Sequence, residues 1–170
     1  PTVVLLNGLG ETSPQWARVV PAVARTTRVC VYDRAGQGWS DDSPHPADST
    51  HTAGDLHRLL TAAGEPGPYV LAGHSLGGVH ALTYAATYPH DVAGGVLLDS
   101  ASPRQMDLIT TFNGEYQVAR RALAVAPTLF RFGIGHITQA MATPALPGTA
   151  GGQASVFANS PRGMRNERAE

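Results

Sequence analysis

Residues 71–78 read LAGHSLGG and place a single serine between glycines, where two apolar runs meet. The run before it, Tyr69–Ala72, is typical of a buried strand, and the run that begins at Leu76 is typical of a helix. Residues 73–77 match G-x-S-x-G in the strand–turn–helix context that this motif requires. Two hypotheses follow for Ser75: it is a nucleophile that a sharp turn raises above a sheet, or it is only the N-cap of the helix.

The nucleophile hypothesis makes specific demands on the residues around Ser75. The serine backbone must adopt a strained conformation, and side chains in place of Gly73 and Gly77 would collide with the neighbouring strand and helix. The helix N-terminus supplies unpaired N–H groups and the positive end of a dipole. The N–H of Leu76 would therefore point to the place where a substrate carbonyl oxygen becomes negative.

A second N–H donor for such an oxyanion is expected from a glycine-bearing turn after an earlier strand. Residues 5–10, LLNGLG, supply such a turn. Leu9 is the candidate donor, with Gly10 as the competing choice. A turn that merely ends the strand is the alternative interpretation.

Length and composition are those of one globular domain. The chain has 170 residues, 42% of them hydrophobic and 15% charged, which suffices for a sizeable core. The formal net charge of −1 gives no electrostatic reason to expect nucleic acid or an anionic membrane as a partner, and no apolar run approaches the roughly 20 residues of a membrane span. All 12 basic residues are arginine, which excludes a P-loop and lysine Schiff-base chemistry. The single cysteine, Cys30, excludes an internal disulfide.

Strand and helix patterns alternate up to Asp99. Continuous apolar runs predict buried strands at residues 3–6 and 28–32, and further strands are predicted at residues 69–72 and 92–98. Helices are predicted between them at residues 13–23, 50–63 and 76–88, with N-caps at Ser13 and at Ser49 or Thr50, and with Gly64 ending the second helix. This alternation predicts an α/β fold in which helices cover a parallel sheet.

The pattern changes after Asp99. Residues 104–142 have helical periodicity, whereas residues 143–161 are rich in glycine, proline and alanine and predict a linker or mobile loop. The predicted organisation is a core over residues 1–103, a helical cap with a mobile linker over residues 104–161, and the start of a further helix over residues 162–170.

Four motifs together carry a family resemblance: PTVVLLNGLG (1–10), VYDRAGQGWSD (31–41), LAGHSLGG (71–78) and GVLLDSASP (95–103). In this order and spacing they resemble the α/β-hydrolase fold family, and most of all its serine-hydrolase branch with Y-D-R-x-G-x-G-x-S. The resemblance implies a parallel-sheet α/β-hydrolase core with about four strands present and a helical lid. It also implies a serine hydrolase that acts on a carboxylic ester or related small-molecule acyl substrate. No cofactor is expected, and no metal either, because the histidines and acids show no ligand spacing such as H-x-x-x-H.

The resemblance also implies a triad in the chain order serine, acid, histidine. Asp99 ends the fourth predicted strand at the same edge of the sheet as Ser75, and some members of the family carry the acid there. The alternative is that Asp99 only hydrogen-bonds the loop of residues 100–103. Asp99 is therefore taken as the candidate acid.

A catalytic histidine is harder to assign, because only three histidines follow Ser75. His80 lies on the helix that leads away from the turn, and His90 lies at the opposite end of the sheet. His136 lies in the predicted lid without a preceding strand. Since the family continues past the lid with further strands, we expect an incomplete fold that lacks both ends, with the histidine outside this chain and little turnover by the chain alone.

Two other function classes compete with the hydrolase. Residues 8–13, GLGETS, resemble the dinucleotide fingerprint G-x-G-x-x-G/A, and Asp33 ends the next strand at about the distance of a ribose contact. However, Ser13 occupies the third glycine position, and Pro14 delays the helix. The other alternative is a non-catalytic receptor or scaffold on the same fold.

Overall fold

The computed structural model describes residues 1–109, 111–131 and 146–158, together with residues 160, 162 and 165. The strands are β1 (Val3–Leu6), β2 (Val29–Val31), β3 (Tyr69–His74) and β4 (Val92–Leu98). The α-helices are α1 (Val20–Val23), α2 (Ser49–Ala62), α3 (Leu76–Thr87), α4 (Gln105–Leu108), α5 (Phe112–Arg131) and α6 (Ala150–Ala158), and short 3-10 helices span Ser13–Arg18 and Pro89–Asp91.

The described strands form one parallel sheet in the order β2-β1-β3-β4, which confirms the predicted α/β class. At the carboxyl ends of the strands, Leu6 pairs with Gly73 and His74 pairs with Leu98. Because the strands are parallel, the turns after β1, β3 and β4 lie at the same edge of the sheet. This register gathers the candidate residues of three motifs at that edge.

The core lies on both faces of the sheet. On one face, Val4 and Leu6 of β1 pack with Leu56 of α2 and Tyr84 of α3, and on the other Leu5 packs with Trp16 and Ala72. Alternate residues of β1 thus point to opposite faces, and both faces are covered. This explains why β1 reads as a continuous apolar run rather than an alternating one.

The sheet edges and one helix cap differ from the sequence-based expectation. The second strand was expected to be buried, but β2 is an edge strand of the described sheet, and Val31 is 37% exposed. Helix α2 has Asp48 as its N-cap instead of Ser49 or Thr50, because Asp48 Oδ1 accepts a hydrogen bond from the His51 N–H at 2.8 Å. A carboxylate is a strong N-cap, and its negative charge also interacts favourably with the positive end of the helix dipole.

The region after the first strand is less regular than predicted. Residues 13–23 form a 3-10 helix followed by the short α1, and Thr12 is the N-cap in place of Ser13. The Thr12 N–H donates to the Gln15 side chain, which closes this first turn.

The segment of residues 143–161 contains a helix where composition predicts a loop. Helix α6 packs against the 3-10 helix of residues 13–18, which buries Ala154 to 7% exposure. The ring of Phe157 meets that of Trp39 edge-on, with centroids 4.8 Å apart. Tertiary packing therefore outweighs the low helix propensity of Gly151 and Gly152.

Among the helices of the described residues, none combines the length and apolarity that crossing a bilayer requires.

Candidate active site

Ser75 occupies a strained turn between β3 and α3. Its φ is +50° and its ψ is −121°, a region that residues with side chains rarely adopt. The strain predicted for the G-x-S-x-G serine is therefore present in the backbone. Ser75 is also the N-cap residue of α3, yet its side chain makes no capping hydrogen bond. The Ser75 hydroxyl therefore does not satisfy an N–H of the first turn of α3, as a capping serine side chain would.

The glycines that flank Ser75 are required by close backbone approach. A Cβ on Gly73 would lie 2.5 Å from the Gly78 nitrogen. A Cβ on Gly77 would lie 2.6 Å from the carbonyl oxygen of Asn7, in the turn that follows β1. Neither obstacle is the end of a flexible side chain, so a larger residue would displace backbone. Helix α3 therefore sits directly against the turn after β1.

The Ser75–Leu76 peptide group is held by hydrogen bonds to its carbonyl. Ser75 O accepts from the Gly78 N–H at 3.1 Å and from the Ala101 N–H at 3.0 Å. In a planar trans peptide the N–H points away from the C=O, so these bonds also orient the Leu76 N–H. Within the part of the chain that the structure describes, the Leu76 N–H has no hydrogen-bond acceptor.

The turn after β1 is held in the same manner by Arg34. This side chain is 5% exposed, and its Nη1 donates to Asn7 O at 2.6 Å while its Nη2 donates to Gly8 O at 2.8 Å. The Leu9 N–H belongs to the same peptide group as Gly8 O and points the opposite way. It has no acceptor among the described residues, and the Leu9 side chain is 46% exposed.

Asn7 has a structural role that its sequence position did not reveal. Its side chain is buried, donates from Nδ2 to Tyr32 O at 3.0 Å and accepts from Trp16 Nε1 at 2.5 Å. It therefore joins the end of β1 to the end of β2 and to the 3-10 helix. An amide suits this place because it can donate and accept at once.

Glu11 and His74 form a pair that the motifs did not predict. Glu11 Oε2 accepts from the Gly8 N–H at 2.6 Å and lies 2.9 Å from His74 Nδ1. The carboxylate thus connects the turn after β1 to the residue that precedes Ser75. The two side chains are 63 positions apart in sequence, so no local pattern signals their contact.

The loop after β2 is organised around Asp33. Its carboxylate accepts from the Ser13 N–H at 2.6 Å and from the Trp39 N–H at 3.2 Å. The Asp33 carbonyl accepts from the Ser40 hydroxyl at 2.6 Å. These bonds hold the loop together, and the Asp33 carboxylate is already committed to protein donors.

Asp99 directly follows β4 and has a φ of +43°. The backbone on either side of it is bonded to the serine turn: Ser75 N donates to Leu98 O at 3.2 Å, and Ala101 N donates to Ser75 O. The Asp99 carboxylate is exposed and has no hydrogen bond or ion pair to another described residue. It does not brace residues 100–103, which was the alternative to a catalytic role.

The described histidines that follow Ser75 lie on the elements expected from the sequence. His80 is 2% exposed on α3, with Nδ1 3.0 Å from the Ser49 hydroxyl, and burial, together with the charge of Arg34, lowers its pKa to about 3. His90 lies in the 3-10 helix before β4, at the opposite end of the sheet from Ser75. His136 lies outside the described residues.

Comparison with known proteins assigns a family. The sequence model of the alpha/beta hydrolase fold matches residues 1–151. An uncharacterized protein of Schizosaccharomyces pombe is 40% identical over 84 residues, which are 49% of this chain and 16% of that protein. A putative carbamate hydrolase, RutD, of Cronobacter turicensis is 34% identical over 100 residues, 58% of this chain and 37% of that protein.

A solved structure has the same fold over nearly all of the chain. This structure is of a carboxylesterase of Nitrososphaera gargenis, and it matches with a TM-score of 0.70 at 19% sequence identity. The match covers 98% of this chain and 62% of the carboxylesterase. The chain therefore spans well under two thirds of the curated relatives named above and somewhat under two thirds of this structural neighbour.

Proposed function

The chain belongs to the α/β-hydrolase fold family, and from this premise we propose that it carries the nucleophile and the oxyanion site of a serine hydrolase. Ser75 is the proposed nucleophile, and the N–H groups of Leu76 and Leu9 are the proposed oxyanion donors. A carboxylic ester is the proposed substrate class. The names of the neighbours, a carboxylesterase and a putative carbamate hydrolase, support an acyl substrate.

One observation carries the proposal. Two N–H groups at the same edge of the sheet, those of Leu9 and Leu76, have no acceptor among the described residues, while the carbonyls of their own peptide groups are each held by two or more donors. N–H groups that are fixed in direction but unsatisfied are suited to a negative oxygen that forms during a reaction. They lie at the same sheet edge as Ser75, whose backbone is strained and whose hydroxyl makes no hydrogen bond to another described residue. This is the arrangement that an acyl-transfer site requires.

The proposed reaction has two halves. Ser75 Oγ attacks the carbonyl carbon, its proton passes to a histidine, and the carbonyl oxygen becomes an oxyanion that the two N–H groups stabilise. The tetrahedral intermediate collapses and expels the alcohol, which takes the proton from the histidine. Water then repeats the sequence on the acyl-enzyme and releases the acid.

The base and acid complete this proposal. Asp99 is the proposed acid, because it follows β4 next to the serine turn and its exposed carboxylate makes no hydrogen bond or ion pair to another described residue. A histidine outside this chain is the proposed base, and the 170-residue chain alone should then have little turnover.

The dinucleotide alternative has less support. A phosphate at the glycine turn would meet the Glu11 carboxylate, which already accepts the Gly8 N–H at 2.6 Å. Asp33, the candidate ribose ligand, accepts from two backbone N–H groups instead. Both contacts favour the hydrolase.

The experiment is active-site labelling of the gene product that carries this chain. A fluorophosphonate probe should attach to Ser75, as peptide mapping would identify, and hydrolysis of p-nitrophenyl butyrate should be lost in Ser75→Ala. Ser102→Ala, an exposed serine at the same edge of the sheet, is the matched control and should retain both. A folded wild type without labelling or turnover would favour the scaffold, and NAD binding in calorimetry would favour the dinucleotide site.

A further inference from the structure

We propose that Arg34 and Glu11 are positioning residues that aim the Leu9 N–H at the substrate oxyanion; this role rests on the proposed function. The two side chains, here named the Gly8 clamp, hold the same residue from opposite sides. Arg34 Nη2 donates to Gly8 O at 2.8 Å, and Glu11 Oε2 accepts from Gly8 N–H at 2.6 Å. Neither side chain needs to touch substrate to act in this way.

Because the peptide group is planar, the bond from Arg34 to Gly8 O also fixes the direction of the Leu9 N–H. The Gly8 carbonyl and the Leu9 N–H are opposite ends of one rigid group. Rotation of this group would turn the N–H away from the site and would also break the bond from Arg34. The Glu11 backbone N–H adds a second, longer contact to Gly8 O at 3.3 Å. The group is therefore held in one of its two possible orientations.

Arginine is suited to this place, because one planar fork serves two consecutive carbonyls. Nη1 holds Asn7 O at 2.6 Å while Nη2 holds Gly8 O. The ammonium of a lysine is a single point on a flexible stem and cannot reproduce both bonds in a fixed plane. Bonds from a charged donor are about twice as strong as neutral ones, and the Arg34 side chain is buried. The carbonyl therefore has little freedom to turn.

Glu11 links this turn to Ser75. Its Oε2 contacts both the Gly8 N–H and His74 Nδ1, and His74 is the residue immediately before Ser75. The two halves of the proposed oxyanion site, one after β1 and one after β3, thus share a single carboxylate oxygen. This contact fixes the spacing between the Leu9 and Leu76 donors. A correct donor spacing stabilises the transition state more than it stabilises the bound substrate, because the oxygen carries its negative charge only in the transition state.

The test compares kcat, KM and the affinity for a transition-state analogue in the gene product that carries this chain. Arg34→Lys and Glu11→Ala should each lower kcat for p-nitrophenyl butyrate on the order of 10²-fold, the loss expected when one oxyanion donor is misdirected. KM should change by less than about threefold. The affinity for butylboronic acid, which forms a tetrahedral adduct on the serine, should fall by the same factor as kcat.

The controls separate this role from folding and from the proposed function. Arg58→Lys, at an exposed position on α2, should leave kcat unchanged, and thermal unfolding identifies variants that have lost the fold. If Arg34→Lys does not fold, Glu11→Ala decides alone, because its side chain is partly exposed. Ser75-dependent turnover in the wild type, with kcat retained within about threefold in the folded clamp variants, would overturn the clamp alone. A wild type without such turnover would overturn the proposed function and the clamp with it.

Discussion

The buried His80 should make the stability of this protein fall on mild acidification. His80 is 2% exposed on α3, and its pKa is lowered to about 3, first by burial and then by the charge of Arg34. Its Nε2 is buried without a partner in the described part of the chain. A proton added at Nε2 would therefore place a charge in the interior, with no acceptor for the new N–H among the described residues.

The size of the effect follows from proton linkage. In the unfolded chain a histidine has a pKa of 6.5, so between that value and about 3 the unfolded state binds a proton that the folded state does not. The free energy of unfolding therefore falls as the pH falls below 6.5. Between about pH 7.5 and about pH 5 the loss from this one group is about 2 kcal/mol. That is a large share of the stability of an ordinary domain.

The assay is urea unfolding followed by tryptophan fluorescence, with Trp16 buried next to β1 as the reporter. The free energy of unfolding is measured at both pH values for the wild type and for His80→Gln. Only the pH difference within each protein is compared, so the cost of the substitution itself cancels. The variant should lose about 2 kcal/mol less than the wild type, whereas His90→Gln, at an exposed histidine, should behave as the wild type. Equal pH differences in wild type and His80→Gln would refute the reasoning.

Two further substitutions test the geometry of the serine turn and of the candidate acid. Gly77→Ala should destabilise the fold by about 1–3 kcal/mol in thermal unfolding, because the new Cβ meets backbone of the turn after β1. Gly114→Ala on α5, where a new Cβ would meet no described atom within 4 Å, should be neutral or stabilising by up to about 1 kcal/mol, and similar losses in both would contradict the steric argument. Asp99→Asn should lower kcat for ester hydrolysis on the order of 10⁴-fold with the fold intact, while Asp107→Asn at an exposed acid of α4 should not; a fall of less than about tenfold would assign the acid elsewhere.

The serine turn was predictable because its constraints are local. A strained serine between a strand and a helix requires small residues on both sides, and the two glycines and the serine all lie within five consecutive positions, residues 73–77. Strand β1 was predictable for a related reason, since its burial on both faces of the sheet imposes a continuous apolar run. Helix α6 was missed because its two consecutive glycines have low helix propensity, which only the packing against the 3-10 helix of residues 13–18 outweighs.

The proposed oxyanion site shows where prediction from local pattern must end. Its Leu76 donor is oriented by bonds from Gly78 and Ala101 to Ser75 O, and the Gly78 bond belongs to the turn itself. Its Leu9 donor is oriented by Arg34, 26 positions away in sequence from Gly8. Nothing in LLNGLG specifies that an arginine after the second strand will bind these carbonyls. If the Gly8 clamp acts as proposed, residues that do not contact the substrate orient one of the two N–H donors to the oxyanion. Such residues are identified from the structure, by finding which donors bind the carbonyl oxygen of the peptide group that carries the N–H.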